Sequence, residues 1–178
     1  MPGSFHPAVE VPILETERLK LRGHRLDDFT HSAAMWADPT VTRHIGGKPL
    51  TEEESWARLL RHVGHWALLG FGYWVAEEKA TGNFVGEIGF ADYKRDLEPS
   101  LKGVPEIGWV LASPAHGRGY TEALRAVVAL GRRALSIDTD GMHYRPGESC
   151  VDSCGGEMRI PRISAHHVQG AADRDVCS

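Results

Sequence analysis

Leu19 and Leu21 alternate with Arg18, Lys20 and Arg22, and this two-residue period predicts a half-buried strand over residues 14–22. The period then lengthens. Phe29, Ala33, Ala34 and Trp36 recur at helical spacing within residues 27–37, and Asp38-Pro39 ends that segment because a residue before proline is pushed out of the helical region. Residues 41–49, with His44 and Gly46-Gly47, read as a loop. Thr51 followed three residues later by Glu54 is a capping box, which opens a second helix carrying Trp56, Leu59, Leu60, Val63 and Trp66. Residues 72–78 and 83–93 are apolar strand segments joined by a Thr81-Gly82 hairpin turn, the second long enough to bend at Gly86 or Gly89. A polar loop over residues 94–104 follows, and residues 1–12, rich in proline, form a loose lead-in.

The stretch from Pro105 to Leu135 has three parts in order. Glu106, Ile107, Gly108, Trp109, Val110 and Leu111 make a short buried strand. His116, Gly117, Arg118, Gly119 and Tyr120 make a glycine-rich turn with one cation. Thr121, as a cap, and Glu122 in the first turn open a helix with Val127, Val128 and Leu135 on its apolar side. Such an arrangement cradles phosphate. Glycines let backbone N–H groups approach an anion without a Cβ in the way, and the helix start adds orphan amides and a positive dipole end. Gly-x-Gly also serves ordinary tight turns, so the turn alone leaves both readings open.

Residues 136–178 break the pattern: no helical or strand period continues, and Tyr144 is their only aromatic residue. At 178 residues the chain has room for one domain with a proper core. A net charge of -4 with no basic cluster excludes an electrostatic footprint for nucleic acid. No apolar run is long enough to cross a membrane, and residues 1–10 lack a secretory pattern. Three cysteines, all late in the chain, make no disulfide framework, so a cytoplasmic setting is expected. Cys150, Cys154, His166, His167 and Cys177 can be drawn as a zinc site, but their spacing matches no recognised finger, and no metal is expected. His6, His24, His31, His62 and His65 have no ligand spacing and read as solvated or core histidines.

Three phrases carry a family likeness: Glu15-Thr16-Glu17-Arg18-Leu19, the meander from Gly72 to Phe90, and Glu106 to Leu111 with its glycine turn and Thr121-Glu122-Ala123. Together they resemble the GNAT N-acetyltransferases, with the closest likeness to the Rim-type branch that acetylates ribosomal-protein N-termini. The family's Gln/Arg-x-x-Gly-x-Gly/Ala pattern falls on His116, Gly119 and Thr121, of which the central glycine matches strictly. One small residue that the family usually carries between the Tyr and Thr-Glu-Ala is absent here. The element order is also the family's, which implies an α/β fold with a mixed, mostly antiparallel sheet flanked by helices. Its domain would span residues 1–135, and residues 136–178 would be a divergent tail in place of the family's last strands.

The resemblance implies acetyl-CoA as co-substrate and an amine as acceptor. Backbone groups of Val110, Leu111 and Ala112 would pair with pantetheine, and amides of Gly117, Arg118, Gly119, Tyr120 and Thr121, beside His116, would hold the pyrophosphate. Glu106 matches the family's base at the head of its strand, with a structural ion pair as the other reading, and Glu87 is a second candidate. No residue matches the family's acid. A homodimer is compatible with all of this. Read one nucleotide later in each codon from about residues 129–133, the tail can give a string with a Thr-Val-Cys-Ile-Ile strand and a Lys-Cys-Gly-Tyr helix end, so a frameshift is expected. A non-catalytic CoA-binding remnant and a small metal- or partner-binding protein organised by the Cys/His tail are the alternatives.

Overall fold

The computed structural model describes residues 10–43, 45–96, 98, 103–134 and 156–158, the last three and 132–134 as backbone only. The elements are β1 (Leu14–Glu15), β2 (Leu19–Arg22), α1 (Phe29–Ala37), α2 (Pro39–Thr42), α3 (Glu52–Leu69), β3 (Tyr73–Glu78), β4 (Phe84–Ala91), β5 (Glu106–Leu111), α4 (Thr121–Ala134) and β6 (Gly156–Met158). Six strands lie in sequence order in one sheet, and every described pairing is antiparallel. This is the α/β layering expected from the sequence. The expected mixed character is absent among the described residues, because β6 pairs antiparallel with Ile107, Gly108 and Trp109.

Local chemistry explains most boundaries. Thr51 caps α3 by accepting from the Glu54 amide, and Glu54 accepts from the Thr51 amide in return. Gly70, in the left-handed region, ends that helix. Where one first strand is expected over residues 14–22, the chain instead folds back between β1 and β2. The Thr16 hydroxyl accepts from the Leu19 amide, and the Thr16 amide donates to the Leu19 carbonyl, so side-chain and backbone bonds close the turn. The expected loop at 41–49 begins with α2, started by Asp38 accepting from the Thr40 amide and by Pro39 in its first turn. The register of β3 and β4 slips between Ala76 and Glu77, leaving Val85 as an extra residue beside Gly86, one of the two expected bend sites. A Cβ at Gly86 would lie 2.1 Å from the Val110 carbonyl oxygen, so β5 approaches here as only glycine allows.

Alternation along β5 divides the core. Ile107 joins Leu19, Leu21, Trp74, Ile88, Phe90, Ala123 and Val127, which packs α4 on one face of the sheet. Val110 joins Met35, Trp36 and Val41 beneath α1 and α2 on the other. On α3 the apolar reading is half right. Leu59 and Trp66 are buried, but so are Ser55, His62 and His65, whereas Trp56, Leu60 and Val63 are 37–50% exposed. The histidines turn inward because polar partners wait there: Glu87 faces His62, and the Asp92 amide donates to His65. No helix among the described residues is long and apolar enough to cross a membrane.

Candidate functional site

The glycine turn leads from β5 into α4. Gly117 has φ +71° and Gly119 φ +68°, both in the left-handed region that costs any residue with a Cβ roughly 1–2 kcal/mol. The helix starts on Thr121 itself, one residue earlier than a Thr121 cap requires. The turn is held from behind by Arg18. Its guanidinium donates to the Arg118 carbonyl at 2.8 Å and to the Gly119 carbonyl at 2.7 Å, and it pairs with the Glu122 carboxylate at 3.1 Å. Glu122 also accepts from the Thr16 hydroxyl and the Arg18 amide. Burial works to raise the Glu122 carboxyl, and these donors outweigh it and hold the group below the ordinary carboxylate range.

With the carbonyls taken by Arg18, the amides of residues 117–120 donate to no protein group among the described residues. Arg118, expected to lend its charge to an anion, instead donates to Glu78 at 2.7 Å, and so does the Tyr120 hydroxyl. Hydrogen bonds from Thr81 and Tyr120 depress the Glu78 carboxyl, while burial followed by Glu78 raises the Tyr120 hydroxyl. The ring of Tyr120 lies under both cations, 4.7 Å from Arg18 and 5.3 Å from Arg118.

The three residues expected along pantetheine differ in direction. The Ala112 amide donates to Val85, and antiparallel alternation turns Val110 the same way, toward β4. Leu111 therefore directs its backbone away from β4, beyond the described β6 pairing at residues 107–109. His116 Nε2 lies 2.9 Å from the Leu111 carbonyl, and since a carbonyl only accepts, that nitrogen carries the proton.

Glu106 and Glu87 lie on the face of the sheet opposite α4. Glu106 is 4% exposed and accepts from Arg95 Nε at 3.0 and 3.1 Å, so the ion pair of the alternative reading is formed. Glu87 is fully buried. It accepts from the Ser32 hydroxyl at 2.7 Å and the Trp36 indole at 3.1 Å, with His24 and His62 beside it. Between the two carboxylates stand Tyr73, stacked on His62, and Tyr93, whose hydroxyl lies 3.2 Å from that of Tyr73. Sequence reasoning assigned no role to Arg18, Glu78, Ser32 or Trp36. The one available signal was the Thr16-Glu17-Arg18-Leu19 phrase, noted without a partner. Val128 and the helix continue the predicted α4, while Leu135 and the Cys/His zinc reading of the tail lie outside the described residues.

The fold has counterparts. Residues 18–169 match the model of the acetyltransferase (GNAT) domain, so the chain belongs to the GNAT acetyltransferase family. It is 30% identical over 154 residues to the uncharacterized protein YkkB of Bacillus subtilis (strain 168), covering 74% of this chain and 85% of that one. Among solved structures it is similar to a chain assigned to the GNAT-family acetyltransferases in Bordetella pertussis, at TM-score 0.61 and 30% identity over 72% of this chain and 75% of that one. It also shares its fold with an acetyltransferase from Agrobacterium tumefaciens str. C58, at TM-score 0.64 and 22% identity over 90% of this chain and all of the other. Membership of this family implies acyl transfer from acetyl-CoA to an acceptor.

Proposed function

We propose that this protein is an acetyl-CoA-dependent N-acetyltransferase of the Rim type, working in the cytoplasm on a primary amine of a protein N-terminus or a small molecule. The observation that carries the proposal is the row of amides at residues 117–120, ahead of α4, which donate to no protein group among the described residues, in a turn whose carbonyls Arg18 holds. A pyrophosphate would accept from these amides and from Thr121 at the helix start. Leu111, directing its backbone off the β5 edge, would pair with pantetheine, with Val110 and Ala112 shaping that edge from within the sheet. His116 holds the Leu111 carbonyl and fixes the end of the strand.

Transfer to an amine requires that the amine lose a proton, and acetyl-CoA supplies the activated thioester. Glu106 is the base of this proposal, acting through water. Its pairing with Arg95 orients the carboxylate, so accepting a proton requires Arg95 to yield one oxygen. Glu106→Gln is expected to lower kcat by ~100-fold or more with little change in acetyl-CoA affinity, since only the proton acceptor is lost. Release of CoA thiol from acetyl-CoA, with peptide N-termini, amino acids and polyamines as acceptors, measures this. An unchanged kcat would remove Glu106 from the mechanism.

We also propose that the coding frame shifts near residues 129–133. Resequencing those codons tests it: one base fewer supports the shift, and an unchanged reading overturns it. The second reading, a CoA-binding remnant, is favoured by one observation: no described residue matches the family's acid. Acetyl-CoA binding without thiol release for any acceptor would select it.

A further inference from the structure

On α3, one turn separates two buried histidines with opposite fates. His65 is satisfied: its Nδ1 donates to the Arg61 carbonyl at 2.8 Å, and its Nε2 accepts from the Asp92 amide at 3.2 Å. His62 is 1% exposed, and neither of its nitrogens has a hydrogen-bond partner. His24 shares that condition, its side chain also 1% exposed and both nitrogens unpartnered. An unmatched buried polar group costs about 1–3 kcal/mol, so four such nitrogens in one place mark a missing partner.

The two imidazoles stack with centroids 5.1 Å apart and converge on a single carboxylate. His24 Nε2 lies 3.4 Å from one oxygen of Glu87, and His62 Nε2 lies 3.6 Å from the other. These distances are long for hydrogen bonds. They are close to the ~3.3 Å edge of a tetrahedron whose metal–ligand bonds are about 2.0–2.1 Å, as for zinc with His and carboxylate ligands. The donor atoms of the three residues all fall within 4.8 Å of one another.

We propose that His24, His62 and Glu87 bind a divalent transition-metal ion of the zinc type, which ties the loop after β2 to α3 and β4. Two imidazoles and one carboxylate suit such an ion in ligand type, and a water in the fourth position would complete the coordination. Outer support for the carboxylate is in place, because Ser32 and Trp36 donate to its two oxygens, and Tyr73 stacks on His62 to set its ring plane. The site involves neither the glycine turn nor Glu106, and it takes Glu87, the second candidate base, as a ligand instead.

The test uses the full chain, stripped with a chelator, loaded with Zn2+ and dialysed before metal is counted per chain. His24→Ala, His62→Ala, Glu87→Gln and a Cys150→Ser/Cys154→Ser/Cys177→Ser variant are treated alike, with circular dichroism to check folding. Co2+ loaded in place of Zn2+ reports coordination through the intensity of its visible absorption. The expected result is about one ion per chain, a four-coordinate Co2+ spectrum, and at least about 10-fold weaker retention in the three cluster variants but not in the cysteine variant. His24→Ala keeps the test usable if His62→Ala fails to fold, because His24 lies on a loop. No retained metal, or metal lost only with the cysteines, overturns the proposal. Acetyl-CoA binding measured on the same samples separates failure of this site from failure of the acetyltransferase reading.

Discussion

Around Glu122, on the α4 side of the sheet, charged side chains have found protein partners: Arg18 with Glu122, Arg118 with Glu78, Tyr120 with Glu78. What remains unmatched there among the described residues is backbone, the amides of residues 117–120, in a turn whose residues 117–119 are exposed. Around Glu87, on the other side, the backbone is paired within β3, β4 and β5, and the unmatched groups are side-chain nitrogens of His24 and His62. The two regions teach different lessons about unsatisfied groups. Exposed amides at a helix start lose little while they face water, so they are free to bind and release an anion reversibly. Buried nitrogens have no such fallback, and their unmet bonding calls for a partner that stays.

The largest expected effect falls on the buried side. Glu87→Leu leaves the Ser32 hydroxyl and the Trp36 indole without their acceptor and removes the carboxylate beside two buried imidazoles, and loss of about 3–5 kcal/mol in urea unfolding is expected. A loss below about 1 kcal/mol would mean that the cluster is as dispensable as a surface pair. On the exposed side, Arg18→Ala should leave thermal unfolding nearly unchanged but weaken acetyl-CoA binding about tenfold, because the turn loses the donor that orders its carbonyls. Equal affinity would show that the turn needs no support from behind.

Glu122→Gln sharpens the contrast through pH. A carboxyl held below its ordinary value contributes stability that is complete above its unfolded pKa and is lost as pH falls through the folded one. The variant should therefore be less stable by under about 1 kcal/mol at neutral pH, a gap that closes at pH below about 4. A gap that persists in acid would deny the Arg18–Glu122 pair its role. Smallest of all is Arg118→Ala, expected to change acetyl-CoA affinity less than about threefold, since its guanidinium is already engaged by Glu78.

What the sequence made legible follows the same division. The strand, glycine turn and helix start are contiguous from Glu106 to Glu122, and each leaves a local mark, so their place in the fold was readable from order alone. Its support was not, because Arg18 and Glu122 are 104 positions apart and meet only through the β1–β2 turn. The turn itself was missed, since Thr16 closes it with a hydroxyl that no hydrophobic period reveals. The Glu87 cluster was less legible still. His24, His62 and Glu87 come from a loop, a helix and a strand, and their spacing resembles no ligand motif. Only polar residues where α3 needed apolar ones, His62 and His65 in place of Leu60 and Val63, carried a trace of it.

The central claim is that residues 117–121 hold the pyrophosphate of acetyl-CoA. Calorimetric titration of acetyl-CoA into the full chain and into Gly119→Glu tests it directly, with Gly119→Ala as the control for backbone strain at φ +68°. Binding by the unaltered chain, a modest loss in Gly119→Ala and at least about 100-fold loss in Gly119→Glu are predicted, because a negative charge enters the turn that would hold the phosphates, beside the Arg18 that holds its carbonyls. Equal affinity in Gly119→Glu, or no binding by the unaltered chain, would contradict it.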